Sequence, residues 1–277
     1  MTANADPGGH RAVRGSGRPR GAERRLTVRG MRVRVTESRA DDASETIMLI
    51  HGIGMSHRYF VRLHRALAPS ARVVSLDLPG FGGLPKPSRD VSIADMAALI
   101  ADVVAAESSG PVVLVGHSMG AQWAVETAAS HPARIAGVVA IGPVVDDAHR
   151  SLGAQARALA IDTVGETPAT NVVVFTDYAR CGPRWYLRQV AHMLRYPIEE
   201  RVRGLAVPLL VMRGAKDPVA GAAWCDRLAA SAGGPRVITI PSRHHVVQRS
   251  APDAVADGIL GHTVRWRSRP SAGSTGE

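Results

Sequence analysis

The chain has 277 residues, 45% of them hydrophobic, two cysteines and a formal net charge of +10. That length and apolar content suit one large mixed domain with a buried core, and two cysteines are too few for a disulfide framework and lack metal-site spacing, so Cys181 and Cys225 read as small buried hydrophobes. The charge is no nucleic-acid footprint, because most of it sits in the tails: residues 1–25 hold six arginines against Asp6 and Glu23, and residues 262–277 hold Arg265, Arg267 and Arg269 against Glu277.

Both tails are rich in Gly, Ser, Pro and Arg without apolar periodicity, a composition that predicts disorder over 1–25 and 263–277. At most they support weak, salt-sensitive contact with polyanions, so no specific nucleic-acid partner is expected. The longest apolar run, Ile135 to Val145, is about half the roughly 18–20 residues of a membrane span, which predicts no membrane partner. No apolar leader region follows Arg24-Arg25, and cytoplasmic residence is the simplest expectation.

In chain order, Leu26–Val28 and Met31–Val35 flank Arg29-Gly30 as a β-hairpin. Strand Thr46–Ile50, a helix near His57–Ala68 and strand Arg72–Leu76 follow, then a long helix Ile93–Glu107 with Ser92 as its cap. Strand Val112–Val115, a helix Met119–Ala129 and strand Ile135–Ile141 come next. Strand Pro208–Met212, helix Ala220–Ala230, strand Val237–Ile240 and helix Pro252–Leu260 close the series. Alternating strands and helices predict an α/β fold, a mostly parallel eight-stranded sheet with helices on both faces and an antiparallel leading edge. The core is assigned to 26–143 and 206–262. Residues 144–205 break the alternation with a helical pattern and are expected to form an inserted lid.

Ligands gather at the carboxyl ends of parallel strands. There stand His51-Gly52-Ile53-Gly54, Asp77-Leu78-Pro79-Gly80-Phe81-Gly82, Gly116-His117-Ser118-Met119-Gly120, Gly214-Ala215-Lys216-Asp217-Pro218 and Ser242-Arg243-His244-His245. One alcohol, one carboxylate and one imidazole thus leave three strands on one edge. Gly-x-Ser-x-Gly between a strand and a helix is the pattern of a sharp turn whose flanking positions must be small for strand and helix to pass closely.

These motifs, in this order over Leu26 to Leu260, resemble the α/β-hydrolase fold family. The resemblance implies Ser118 as nucleophile, His245 as general base and Asp217 as the carboxylate that orients it, in that family's chain order. It implies an oxyanion hole from the backbone N–H groups of Ile53 and Met119. His244 precedes His245 where the family usually has glycine, and spacing to Pro252 favours His245. Asp146 or Asp147 is a variant acid position, and Asp217 the commoner one. Phe81, Tyr178, Trp185, Tyr186 and His192 are candidate pocket residues, with Arg180 and Met193 beside them; His51 is expected to brace its loop and His117 to pack beside the turn. His131, His149 and His262 read as surface residues.

The sequence has no G-x-x-x-x-G-K-[ST], no H-E-x-x-H and no G-x-G-x-x-G after a strand, and no cofactor or metal is implied. A serine rather than an aspartate at the turn points to acyl chemistry. The expected activity is a cofactor-independent serine hydrolase acting on an ester, thioester or lactone of a small to medium apolar molecule through an acyl-enzyme. Carbon-carbon bond hydrolysis, acyl transfer and perhydrolysis are the alternatives on the same fold, and a non-catalytic binding protein is the reading from another class.

Overall fold

A computed structural model describes residues 22–40, 43–234 and 237–267. The hairpin strands β1 (Ala22–Val28) and β2 (Met31–Ser38) lead into β3 (Thr46–Ile50), a 3₁₀ turn His57–Phe60 with α1 (Val61–Leu67), and β4 (Arg72–Asp77). Then come α2 (Ile93–Glu107), β5 (Val112–His117), α3 (Met119–Ser130) and β6 (Ile135–Ile141). Four helices follow without a strand, α4 (Leu152–Gly165), α5 (Pro168–Cys181), α6 (Pro183–Arg195) and α7 (Ile198–Arg201), in the interval where the sequence predicts a helical insertion. The chain ends with β7 (Leu209–Gly214), α8 (Ala222–Ser231), β8 (Val237–Ile240), α9 (Val247–Ser250) and α10 (Pro252–Arg267).

The eight strands lie in the order β1-β2-β4-β3-β5-β6-β7-β8. β1, β2 and β4 pair antiparallel and all other neighbours pair parallel. The chain runs outward from β3 to β4 and then returns to place β5 on the other side of β3. That reversal opens a crevice at the carboxyl ends of β3 and β5, where crossover connections diverge.

Period-2 alternation splits the strands between two cores. Met48 and Ile50 pack with Trp123 of α3 and with Met96, Leu99 and Ile100 of α2. Ile47 and Leu49 point the other way, onto Tyr59, Phe60 and Leu63 and onto Val255 and Ile259 of α10. Because both faces are covered, β5 is buried along its whole length, which is why it reads as a continuous apolar run. Helix α2 starts with reciprocal bonds: Ser92 Oγ accepts from the Asp95 N–H at 3.1 Å, and Asp95 Oδ2 accepts from the Ser92 N–H at 3.0 Å.

Two tail boundaries need correction. β1 begins at Ala22, not Leu26, because Arg24, read as part of a disordered tail, pairs with Glu37 at 2.7 Å and with Glu107 while its backbone joins the ladder opposite Val35. α10 continues past residue 262: Thr263 is buried and bonds to Glu45, and Trp266 lies so close over Gly137 that a Cβ there would come within 2.4 Å of the indole. The tail predictions for 1–21 and 268–277 fall outside the described residues. Among the described residues no helix is long and apolar enough to cross a membrane.

Candidate active site

The turn after β5 carries Ser118 at φ +56°, a left-handed conformation rare for a residue with a side chain. Its neighbours explain how the turn is tolerated. A Cβ on Gly116 would sit 2.2 Å from the Gly120 carbonyl oxygen, and a Cβ on Gly120 would sit 2.3 Å from that of Ile50. Strand and helix therefore pass with backbone against backbone, and Ser118 is raised over the carboxyl edge of the sheet at the N-terminus of α3.

Across the edge, His245 Nδ1–H donates to Asp217 Oδ2 at 2.9 Å. The other Asp217 oxygen accepts from the N–H groups of Val219 and Ala220 at 2.8 and 2.9 Å. Both side chains are almost wholly buried. Burial by itself would raise the Asp217 pKa; the imidazole and the two N–H donors outweigh it and hold the carboxyl below its usual range. Burial pulls on His245 in the opposite sense, and the charge of Asp217, its hydrogen bond and the nearby carboxylates of Asp162 and Glu166 overcome it, raising the imidazole to about 9. With Nδ1 committed to Asp217, Nε2 is the nitrogen left over; it is buried and has no hydrogen-bond partner among the described residues. Ser118 and His245 line one cavity, and Ile53 lies on its wall as well. Among the described residues, neither the Ile53 N–H nor the Met119 N–H, at the head of α3, has an acceptor.

Asp146 and Asp147, the variant acid positions, pair with Arg227 at 2.9 and 2.5 Å, and it is Asp217 that holds His245 Nδ1. His244 does not take the inner place either: its Nδ1 is 3.8 Å from Asp162. Among the sequence-predicted pocket residues, Tyr178 and Tyr186 face the cavity, as does Met193. Phe81, Trp185 and His192 do not. Phe81 is buried against His51, Trp123 and Trp185, and His192 turns outward to Asp90 at 3.0 Å. The reason is helical phase: on α6, Tyr186 and Met193 are seven residues apart and share a face, whereas Trp185 and His192 are each one position, about 100°, away from them.

His51 braces its loop as expected. Its Nδ1–H donates to the Gly52 carbonyl at 2.8 Å and its Nε2 accepts from the Leu78 N–H at 3.1 Å. His117 does more than pack. The Gly52 N–H donates to Tyr59 Oη at 2.7 Å, the Tyr59 hydroxyl donates to His117 Nδ1 at 2.9 Å, and His117 Nε2–H donates to the His245 carbonyl at 3.0 Å. Burial drives the His117 pKa down to about 3, so the ring stays neutral and its donor and acceptor are both used. This chain ties the Ile53 loop to the His245 loop across β5. Tyr59 went unnoticed in the sequence because nothing local marks it. Tyr59→Phe leaves a buried N–H and a buried ring nitrogen unpaired and is expected to lower stability by about 2–4 kcal/mol, read by urea unfolding; an unchanged midpoint contradicts the relay.

Two further residues on the cavity wall, Asp162 in the last turn of the Ala-rich α4 and Glu166 just after it, were also missed; the sequence signal is a pair of carboxylates four apart where the helical pattern ends.

Comparisons with known proteins agree with this architecture. The chain is 25% identical over 252 residues to the 2-(acetamidomethylene)succinate hydrolase of Mesorhizobium japonicum, covering 82% of this chain and 91% of that protein. A shorter match, 33% identical over 112 residues, joins it to the dihydrolipoyllysine-residue acetyltransferase component of the acetoin cleaving system of Cupriavidus necator; it covers 40% of this chain and only 30% of that protein's length. Among solved structures, a membrane phospholipase A shares the fold with a TM-score of 0.77 at 21% identity, over 90% of this chain and 88% of that one. The model of the alpha/beta hydrolase family matches residues 47–258, and the chain belongs to that family.

Proposed function

We propose that the protein is a cofactor-independent serine hydrolase that cleaves an ester, thioester or lactone of a small to medium, uncharged acyl compound. One observation carries this reading: an imidazole fixed by Asp217 at 2.9 Å leaves its other nitrogen unpaired in the cavity that Ser118 enters from a strained turn. In this reading His245 Nε2 takes the Ser118 proton as Oγ attacks the acyl carbon, and the imidazolium then gives that proton to the leaving group. The developing oxyanion is met by the unpaired N–H groups of Ile53 and Met119. Water, deprotonated by the same imidazole, releases the acyl group and restores Ser118. Every proton and electron pair in the cycle is accounted for by these groups, so the scheme needs no cofactor.

The cavity wall favours uncharged substrates. Apolar and aromatic side chains dominate it, Asp162 and Glu166 are its acidic members, and among the described residues no lysine or arginine lines it. A dianion such as a succinate finds no lysine or arginine among the described lining residues and meets two carboxylates. This separates the protein's proposed substrate from that in the name of its Mesorhizobium relative. Hydrolysis of a carbon-carbon bond, acyl transfer and perhydrolysis draw on the same groups and differ in the acceptor or bond presented.

A fluorophosphonate probe, p-nitrophenyl butyrate and p-nitrophenyl hemisuccinate test the proposal. Ser118 is expected to be labelled, and the neutral ester is expected to exceed the anionic one at least tenfold in kcat/KM, about 1.4 kcal/mol of discrimination. Absence of labelling together with absence of turnover defeats the hydrolase reading; preference for the anionic ester defeats the assignment of the substrate's charge.

A further inference from the structure

Residues of α4 line the cavity beside His245, and the C-terminal end of that helix meets the histidine loop at three consecutive residues. Asp162 Oδ1 accepts from the His245 N–H at 2.8 Å, and Glu166 Oε1 accepts from the Val246 N–H at 3.1 Å. Between them Gly165 lies flat on His244: a Cβ there would come 2.1 Å from the ring. Asp162, in the last turn of α4, and Glu166, the extended residue that ends it, are both buried, so the C-terminal end of the helix presents two carboxyl groups to two successive backbone donors. Hydrogen bonds from amide to carboxylate in a dry setting are about twice as strong as neutral ones and orient what they hold.

We propose that Asp162 and Glu166 are positioning residues for His245: they clamp the backbone of its loop to α4 and place negative charge beside the ring, so that the insertion helix and the imidazole act as one unit. The inference rests on the reading of His245 as general base. Its physical content is differential: in the deprotonated form that acts as base, the ring gains a positive charge when it takes the Ser118 proton, so carboxylates at its flank favour that charged intermediate over the neutral ring, while also holding a proton on the resting ring at lower pH.

The other groups around the ring act differently, Asp217 through a direct bond to the ring that also favours its charged form. Asp217, on the loop after β7, holds Nδ1. His117, at the end of β5, stands 4.6 Å away between ring centroids and stays neutral, and it holds the carbonyl rather than the amide of His245. His244 turns toward Asp162. Asp162 and Glu166 are themselves pushed above the usual carboxylate range, first by burial and, for Glu166, next by the charge of Asp162. Together with Asp217 they contribute to the raised basicity of His245, which stands at about 9. The sign follows. A base must be deprotonated to act, so activity rises with pH toward that value, and removing a flanking charge brings the rise to lower pH.

The decisive experiment is an NMR titration of the His245 ring in 15N-histidine-labelled protein, paired with the pH dependence of kcat/KM, for wild type, Asp162→Asn, Glu166→Gln and Asp162→Ala. Asparagine keeps the acceptor and the shape while removing the charge, so the ring midpoint and the acid limb of the profile are expected to move together to lower pH by about one pH unit, in line with the loss of one nearby opposite charge. Glu166→Gln is expected to move them less, its bond being longer and one residue removed from the ring. Asp162→Ala, which orphans the His245 N–H, is expected to lower kcat about tenfold with little change in KM. An unshifted ring in both charge-removing variants overturns the inference, whatever the activity. A shifted ring in a protein whose Ser118 resists fluorophosphonate upholds the electrostatic link and overturns the hydrolase reading instead.

Discussion

Ser118→Ala is expected to reduce kcat by about four orders of magnitude or more while leaving the fold unchanged. The cavity holds other hydroxyl groups, but none is a substitute nucleophile. Thr163 Oγ1–H is spent on the Leu159 carbonyl at 2.8 Å, and the Tyr59 hydroxyl on His117. The phenols of Tyr178 and Tyr186 have pKa values raised by burial and so resist deprotonation. Stability should be nearly unaffected, since the Ser118 side chain caps nothing in α3 and alanine meets the same strained backbone. The residual rate, from oriented binding beside the two N–H groups, is expected to be no lower in Ser118→Ala/His245→Ala than in either single variant, because the hydroxyl and the imidazole act as one device. Hydrolysis of p-nitrophenyl butyrate with melting curves for each variant measures this; a Ser118→Ala enzyme within tenfold of wild type ends the mechanism proposed for this site.

The largest effect on stability is expected from Gly120→Ala. Most glycine-to-alanine changes in a helix gain a few tenths of a kcal/mol to about 1 kcal/mol. Here the added methyl would stand 2.3 Å from the Ile50 oxygen and 2.6 Å from the His51 oxygen, both backbone atoms of the strand that forms the core of the sheet and its following loop. No rotamer change can relieve that contact. α3 must retreat from β3, which opens the Trp123 packing and removes the basis of the Ser118 turn. A loss of more than about 4 kcal/mol is expected, in the range that signals a core or backbone defect, with Tm lower by about 8–16 °C for a protein of this size or no soluble product. Gly153→Ala, on the open first turn of α4 with nothing within 4 Å of the added carbon, is the control and is expected to melt at or slightly above wild type. Equal melting of the two variants contradicts the close passage of strand and helix.

What was readable in the sequence is what short-range chemistry dictates. The apolar runs of β3, β5 and β6 declare buried parallel strands, and Gly116 and Gly120 declare a turn with no room for side chains. The motifs at successive strand ends fall on one edge because right-handed crossovers leave no other arrangement. Hence Ser118, Asp217 and His245, far apart in the chain, could be proposed together; in the structure His245 bonds to Asp217 at 2.9 Å, and Ser118 and His245 line one cavity.

Tertiary structure alone decided the rest. Arg24 reads as tail until Glu37 and Glu107, at different distances along the chain, neutralise it. Trp185 and Tyr186 are adjacent, yet only the phase at which α6 lands sends the first onto Phe81 and the second into the cavity. The Tyr59–His117 bond spans 58 residues and the Asp162–His245 bond spans 83. Strand pattern and turn chemistry are encoded by neighbours in the chain and carry their own signal. A contact between a helix face and a distant loop depends on where two rigid elements come to rest, and no local pattern encodes that position.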